Sequence, residues 1–188
     1  MIKTIFLFFT PITLFLIVGC SPIINKYKVS IDAIKASDLR IIPKKYTLKA
    51  LGENTDKESL DFQEQLLFLE QLLQKQGYQK VENQTLAQQI IFFDYGIEQL
   101  IISNEPEVSI ELYRSYKNRY AYYNRYATLL AKAPSGKELW RIDLSSKGSS
   151  KNLKKIVPLL LEASIPYVGK NTEKAVKVVI KEKKSKKK

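Results

Sequence analysis

The sequence predicts an α+β domain, in which a mostly antiparallel β-sheet carries two amphipathic helices packed on one face. Three observations predict this class. Several short segments alternate apolar and polar residues, as half-buried strands do. Two longer segments repeat apolar residues at helical spacing, one after residue 59 and one after residue 150. Between them, residues 134–137 read Pro-Ser-Gly-Lys, a turn sequence that joins two strand segments as a hairpin.

Two short strands are predicted before the first helix. Residues 27–32 and 46–50 both alternate apolar and polar side chains, and the segment between them is polar and is interrupted by Pro43. Each strand should therefore bury one face only.

The first helix is the clearest element of the sequence. Its apolar stripe has the spacing of a core-facing helix, in the order Phe62, Leu66, Leu69, Leu73. Ser59 or Asp61 can cap its start, and Glu64 lies three residues after Asp61, as in a capping box. Gly77 provides the signal for its end.

The middle of the chain reads as strands. The predicted segments are 88–102, 108–116, 120–133 and 138–147. The first contains a continuous apolar run, typical of a strand covered on both faces or lying beside a helix, and Gly96 within it can mark a bulge.

A second helix and a last strand complete the predicted domain. The buried stripe of the helix comprises Leu153, Ile156, Val157, Leu160, Leu161 and Ser164. Residues 148–150, Gly-Ser-Ser, would end the preceding strand and cap this helix, and Pro158 predicts a kink or a start near residue 153. Pro166 and Gly169 should end it, and residues 172–181 alternate as a strand.

The first twenty residues have the pattern of an export signal. Residues 5–18 are uncharged and follow Lys3. A membrane-spanning helix needs roughly 20 apolar residues, whereas the apolar region of a secretory signal needs only about 7–15. The run closes on Gly19 and Cys20, and Cys20 is the only cysteine of the chain.

The segment Ile17-Val18-Gly19-Cys20 resembles the lipobox of bacterial lipoproteins. The resemblance implies that Cys20 is acylated on sulfur, that residues 1–19 are removed, and that Cys20 becomes the first residue of the mature chain. Two acyl chains at one site would supply the two signals that stable anchoring needs. Ser21, in the place where Asp is the usual retention signal, points to the outer membrane, facing the periplasm. An uncleaved anchor with an incidental cysteine is the alternative.

Composition narrows the chemistry that the chain can perform. The 188 residues carry a net charge of +12, no histidine and one cysteine. The commonest general base and metal ligand is therefore absent, and an internal disulfide is impossible. No paired carboxylates, phosphate-binding loop, catalytic residue, metal site, cofactor or small-molecule substrate is predicted. The expected organisation is a signal peptide (1–19), a tether with the first strand (20–45), an α+β domain (46–182) and a disordered lysine-rich tail (183–188).

Beyond the lipobox, most of the mature chain resembles an uncharacterised family of proteobacterial lipoproteins with a domain of unknown function. The matching segments are residues 45–51, 76–78, 91–97, 137–141, 147–150 and 165–172. The resemblance supports the fold and the location in the cell envelope, and it adds nothing about chemistry. The lysine-rich end is not expected of the family.

A run of aromatic and basic residues is the candidate binding surface. Its members are Tyr116, Arg119, Tyr120, Tyr122, Tyr123 and Arg125. Such interleaving suits nucleic acid, but an exported protein should not meet it, so the expected partners are anionic lipid, envelope glycan or envelope protein. Alternatively, the tyrosines serve only the β propensity of a hairpin. The tail from Lys181 onward either contacts an anionic membrane or is solvated.

Three hypotheses of function follow. In the first, the protein is held at the membrane through acylated Cys20 and acts by binding, as an accessory or structural component without catalysis. In the second, it is a docking subunit of an envelope export or assembly machine. In the third, it is a hydrolase that uses Ser or Tyr with Lys. Residues 149–150 and 167–172 look motif-like, although helix capping and helix termination are the preferred explanations for them.

Overall fold

The computed structural model describes residues 25–52, 57–100 and 122–181. The elements of these ranges are, in chain order, β1 (Lys26–Lys35), β2 (Lys45–Ala50), α1 (Leu60–Lys75), β3 (Gln79–Lys80), β4 (Gln89–Leu100), β5 (Tyr122–Lys132), β6 (Glu138–Gly148), α2 (Leu153–Ser164) and β7 (Val176–Lys181). Short 3-10 helices lie at Gln84–Leu86 and Ile165–Tyr167. The α+β class is confirmed. The predicted strand 108–116, the signal peptide and the tail lie outside the described residues.

The seven strands form one sheet in the order β3-β2-β4-β5-β6-β1-β7. Strand β2 is parallel to β3 and β4, and the remaining neighbours are antiparallel. The sheet is therefore mostly antiparallel, as predicted. Because β1 lies between β6 and β7, it is an interior strand, and the folded body includes it together with the residues after 46.

Helix α1 begins at its serine cap. The Oγ of Ser59 accepts a hydrogen bond from the backbone N–H of Phe62 at 3.2 Å. Of the two predicted caps, Ser59 is the one used, and Glu64 points instead to Lys154 of α2 at 2.6 Å. The helix is followed by Gly77, whose φ of 76° lies in the left-handed region that favours glycine.

The buried side of α1 packs on aromatic side chains of the sheet. The ring of Phe62 lies 5.7 Å from that of Phe93 and 6.1 Å from that of Tyr95, both stacked. Of the predicted stripe, Phe62, Leu69 and Leu73 are buried, but Leu66 is only half-buried. Gln65 is buried as well, so the buried stripe is wider than the apolar pattern indicated.

Helix α2 starts at residue 153, as predicted, with a different cap. The side-chain oxygen of Asn152 accepts from the backbone N–H of Lys155 at 3.1 Å, so the prediction that Ser149-Ser150 caps the helix is wrong. Pro158 lies inside the helix, and five of the six predicted stripe residues are buried, with Leu153 partly buried. Neither helix of the described ranges is long and apolar enough to span a membrane.

Strands β5 and β6 form the predicted hairpin. Gly136, at φ 90°, lies in its turn, and the register shifts between Ala131 and Lys132. The bulge expected at Gly96 is absent, because the β4–β5 pairing runs unbroken from Ile90 to Leu100. Gly96 instead makes room for the ring of Tyr126, whose hydroxyl would lie 2.5 Å from a Cβ at that position.

Alternation along the strands gives the sheet two different faces. The face that we call the core face carries fully buried apolar side chains, among them Val29, Ile31, Ile91, Phe93, Leu129, Ile142 and Leu144. The opposite face, which we call the outer face, carries Ser30, Asp32, Thr128, Asp143 and Ser145 at the intervening positions. Side chains that could contact a partner therefore lie on the outer face and at the ends of the strands.

Candidate binding surface

The predicted aromatic and basic surface is only partly described. Tyr116, Arg119 and Tyr120 lie outside the described residues, and Tyr122 is described only as the first residue of β5. Tyr123 and Arg125 are described, and they are 9% and 2% exposed. The prediction that these two residues form an exposed binding surface is therefore wrong. Both occupy core-face positions of β5, because strand alternation puts residues 123, 125 and 127 on one side.

Arg125 is held by neutral oxygen atoms. Its Nε donates to the backbone carbonyl of Ser146 at 2.9 Å, one Nη donates to the hydroxyl of Ser146 at 3.1 Å, and the other donates to the carbonyl of Ser150 at 3.2 Å. No carboxylate of the described ranges forms an ion pair with Arg125. Burial therefore lowers the pKa of this guanidinium from its ordinary value.

The Gly-Ser-Ser segment is the receptor for this arginine. A Cβ at Gly148 would lie 2.9 Å from an Nη of Arg125, so glycine leaves the space that the guanidinium fills. Ser150 supplies the carbonyl. In the sequence, the only sign of this arginine site was a glycine followed by serines at the end of a strand. That sign becomes specific only when the register of β5 and β6 places the glycine beside Arg125.

The second motif-like segment joins the end of α2 to β1. Thr172 donates its backbone N–H to the carbonyl of Ala33 at 2.8 Å and accepts the N–H of Ala33 on its Oγ1 at 2.9 Å. Asn171 accepts the N–H of Lys35 on its Oδ1 at 2.5 Å. Gly169 has a φ of 67°, and Ile42 occupies the space that a Cβ would need. This segment thus satisfies backbone groups of β1 that lie beyond Val176, the first residue of β7.

The outer face contains a shallow depression of about 310 Å³. Its polar lining comes from three neighbouring strands, with Ser30, Asp32, Asn124, Tyr126, Thr128 and Asp143 as the main contributors. Hydroxyl, amide and carboxylate groups therefore converge on a single area of the outer face.

Two carboxylates face each other beside this depression. Asp32 of β1 is directly opposite Asp143 of β6, and like charges in such a position are destabilising. Asp143 is compensated by Thr128, which donates at 2.9 Å, and by Arg141, which donates at 2.7 and 3.0 Å. The hydrogen bond to Asp143 raises the pKa of Arg141. Thr172 donates to Asp32 at 3.3 Å.

Asn124 and Tyr126 form the other wall of the depression. Asn124 donates its amide to Glu98 at 3.2 Å, while its Oδ1 is buried without a hydrogen-bond partner in the described structure. Burial raises the pKa of Tyr126, and the charges of Asp94 and Glu98 raise it further, so its hydroxyl is protonated and can donate at neutral pH.

The arrangement combines acceptors, donors and an aromatic ring. Carboxylates accept hydrogen bonds from ligand hydroxyl or amide groups, and Tyr126 and Thr128 can donate to them. In the described ranges, no cluster of His, Cys, Asp and Glu side chains could hold a metal ion. The chemistry that these groups support is recognition of a polar, hydroxyl-bearing or amide-bearing partner.

Sequence reasoning missed the Asp32–Asp143 pair. Each residue occupies a polar position of an alternating strand, and that much was visible. Their meeting depends on β1 pairing with β6 in one register, over a separation of more than a hundred residues. Nothing local in the sequence specifies this pairing.

No family model matches the chain, and no curated protein matches it. Solved structures do match. A PDZ domain protein from Parabacteroides distasonis has a TM-score of 0.53 and 13% identity, over 83% of this chain and 39% of that protein. The chain thus spans about two fifths of that protein's length, and the likeness concerns the fold alone.

Two PelC dodecamer structures from Paraburkholderia phytofirmans also match. One, of a point variant, has a TM-score of 0.42 and 10% identity, and the other has 0.44 and 9%. Each match covers 77% of this chain and 99% of the PelC chain.

Proposed function

We propose that this protein is a lipid-anchored component of the cell envelope that acts by binding and catalyses no reaction. The anchor is the acylated sulfur of Cys20, and Ser21 favours the outer membrane, facing the periplasm. Strand β1 begins at Lys26, so the tether after Cys20 reaches roughly 20 Å at about 3.3 Å per residue. The folded body therefore stays close to the bilayer.

The binding surface that we infer is the outer face of the sheet. Both helices are inferred to cover the core face: Phe62 of α1 stacks on Phe93, and Leu160 of α2 belongs to the same buried cluster. Contact between Lys154 and Glu64 joins the two helices. On this arrangement the outer face is the one that remains open to a partner.

The depression on the outer face carries the proposal. Carboxylates, hydroxyls and an amide whose oxygen has no partner among the described residues surround it, next to the ring of Tyr126. A glycan chain of the envelope has the matching chemistry, since its hydroxyls donate and accept and its rings stack on aromatic side chains. A docking subunit of a larger envelope machine would use the same face for a protein partner.

The anchor is tested by metabolic labelling with a fatty-acid probe. Wild-type protein should be labelled and processed, whereas Cys20→Ser should lose the label and accumulate at the size of the precursor. A Cys20→Ser chain that is processed normally would contradict the anchor.

The surface is tested by co-sedimentation of the lipidated protein with purified insoluble envelope glycan. Asp32→Ala and Asn124→Ala should each weaken binding about tenfold or more, since a hydrogen bond to a charged or buried group contributes about 1.5–3 kcal/mol. Glu82→Ala, an exposed carboxylate in the loop after β3, is the matched control and should bind normally.

Two results would contradict the glycan assignment. Equal binding by Asp32→Ala and the wild type would exclude the depression as the site. Recovery of one stoichiometric envelope protein that depends on Asp32, without glycan binding, would favour the docking subunit instead.

A further inference from the structure

Five exposed lysines gather on the outer face at one end of the sheet. We call them the lysine patch, and its members are Lys26, Lys28, Lys147, Lys177 and Lys181. The strand register brings them together: Lys26 is directly opposite Lys181, and Lys177 is opposite Ser30, the next outer-face residue after Lys28. Lys147 follows Ser145, which pairs with Ser30 from the other side. The patch therefore spans the edge strand β7 and its two neighbours.

Several lysines elsewhere on the body lie against a carboxylate partner. Lys80 pairs with Glu70 at 2.6 Å, Lys132 pairs with Glu138 at 3.6 Å, and Lys137 pairs with Asp38. None of the five patch lysines forms an ion pair with a carboxylate of the described residues. Like charges directly opposite each other in a sheet are destabilising, so the side-chain charges of Lys26 and Lys181 oppose the β1–β7 pairing. An external anion would relieve this repulsion.

The patch lies where the chain leaves the sheet toward residue 20. Strand β1 starts at this end and β7 finishes there. Five residues separate Cys20 from Lys26, so an acyl group on Cys20 holds this end within roughly 20 Å of the bilayer. Val179, 55% exposed, lies opposite Lys28 in the middle of the patch and adds an apolar contact.

We propose that the lysine patch docks on the anionic headgroups of a lipid bilayer and so fixes the orientation of the body on the membrane. The proposal rests on the anchor proposed above, because the tether is what brings this end to the surface. Its occupant is a bilayer surface, as the patch is a flat, exposed array of point charges along strand ends, suited to an array of headgroup phosphates. Docking there turns the β1–β7 end of the sheet toward the membrane.

The test uses residues 20–188 with Cys20→Ser, so that binding depends on the protein surface alone. Every described contact lies within residues 25–181, so this chain keeps the whole described core. Binding is measured by co-sedimentation with vesicles of phosphatidylcholine, with and without phosphatidylglycerol. The chain should bind only the anionic vesicles, and added salt should release it.

The decisive variant replaces all five patch lysines by glutamine. Each lysine near an anionic surface contributes about a fivefold change in affinity. Even if only three of the five lysines contact headgroups at one time, the variant should bind the vesicles about 100-fold more weakly. The matched control replaces five exposed lysines that lie elsewhere, namely Lys45, Lys49, Lys57, Lys75 and Lys170. It removes the same net charge and should retain affinity within about threefold, since distant charges are screened. Circular dichroism and thermal unfolding verify that both variants fold.

Three outcomes would overturn the proposal. Equal losses in the two variants would show that net charge acts, and not the patch. Equal binding to neutral vesicles would exclude the headgroup charge. Patch-dependent binding of a soluble oligonucleotide without vesicle binding would assign the patch to another polyanion. The vesicle assay uses the Cys20→Ser chain, so its result does not depend on whether Cys20 is acylated. The proposal of the anchor and the proposal of the lysine patch can therefore be refuted independently.

Discussion

Replacing Arg125 tests whether this arginine stabilises the fold from a buried position or binds a partner from an exposed one. Arg125→Ala removes three hydrogen bonds and leaves the carbonyls of Ser146 and Ser150 without their donor. Hydrogen bonds that involve a charged group contribute about 1.5–3 kcal/mol each, and the emptied volume adds about 2 kcal/mol. Release of a desolvated charge offsets several kcal/mol of this loss. Taken at the lower end of these ranges, the net expectation is a decrease of about 3 kcal/mol in the free energy of unfolding.

The assay is urea unfolding of the chain from residue 20 with Cys20→Ser, followed by circular dichroism. The midpoint should fall while the slope stays constant. In a thermal scan, a loss of about 3 kcal/mol corresponds to a decrease of roughly 6–12 °C for a domain of this size. Arg125→Lys should recover little stability, because an ammonium group cannot reproduce the forked geometry of three donors.

Arg141→Ala is the matched control for the same assay. Arg141 is exposed on β6 and contacts Asp143, two residues away on the same strand. An exposed ion pair contributes about 0–1 kcal/mol, so this variant should unfold close to the wild type. If Arg125→Ala also unfolds within 0.5 kcal/mol of the wild type, a margin typical of exposed positions, the burial argued for Arg125 is wrong.

Two further predictions concern the core and its connections. Burial, with a smaller effect of the charge of Glu70, raises the pKa of Tyr46 to about 12, so the unfolded chain loses this proton first as the pH rises. The stability that this shift contributes is fully present below pH 10, the usual pKa of tyrosine, and about 2–3 kcal/mol of it should disappear as the pH approaches 12. Tyr46→Phe removes a buried hydroxyl that has no hydrogen-bond partner among the described residues. This variant should reduce the alkaline loss in pH-dependent urea titrations and leave stability at pH 7 equal or higher. Gly169→Ala should destabilise the protein more than Gly136→Ala does, by at least about 1 kcal/mol in the same urea titrations. Both glycines have positive φ, but only at Gly169 does another side chain, that of Ile42, occupy the space that a Cβ would need. An unchanged alkaline limb in Tyr46→Phe, or equal losses in the two glycine variants, would contradict these explanations.

Local patterns were sufficient for most of the elements. The apolar spacing of α1, the signal of Gly77 and the turn at residues 134–137 depend on neighbours within a few residues, and the structure has each where the sequence predicts it. The error at the start of α2 arose because a contact with a distant strand sets the role of Gly148 and Ser150. Ser149-Ser150 resembles a cap, but Asn152 caps α2, while Gly148 and Ser150 receive Arg125.

The candidate surface illustrates the same limit. Aromatic and basic residues in alternation indicate either a recognition surface or an amphipathic strand, because the two faces of a strand look alike in sequence. Packing decided which face of β5 is buried, and it put Tyr123 and Arg125 inside. Asp32 and Asp143 meet only because the register of β1 and β6 puts them opposite each other.

By itself, the sequence determined the class of fold, the two helices with most of their buried stripes, and a composition without histidine. These properties follow from short-range periodicity and composition. Only the tertiary structure decided the strand order, the burial of Arg125 and the assembly of the lysine patch from three strands. The physical reason is that register is set by burial of a whole face against the core, which sums contributions from the entire sheet and leaves no mark at any one position.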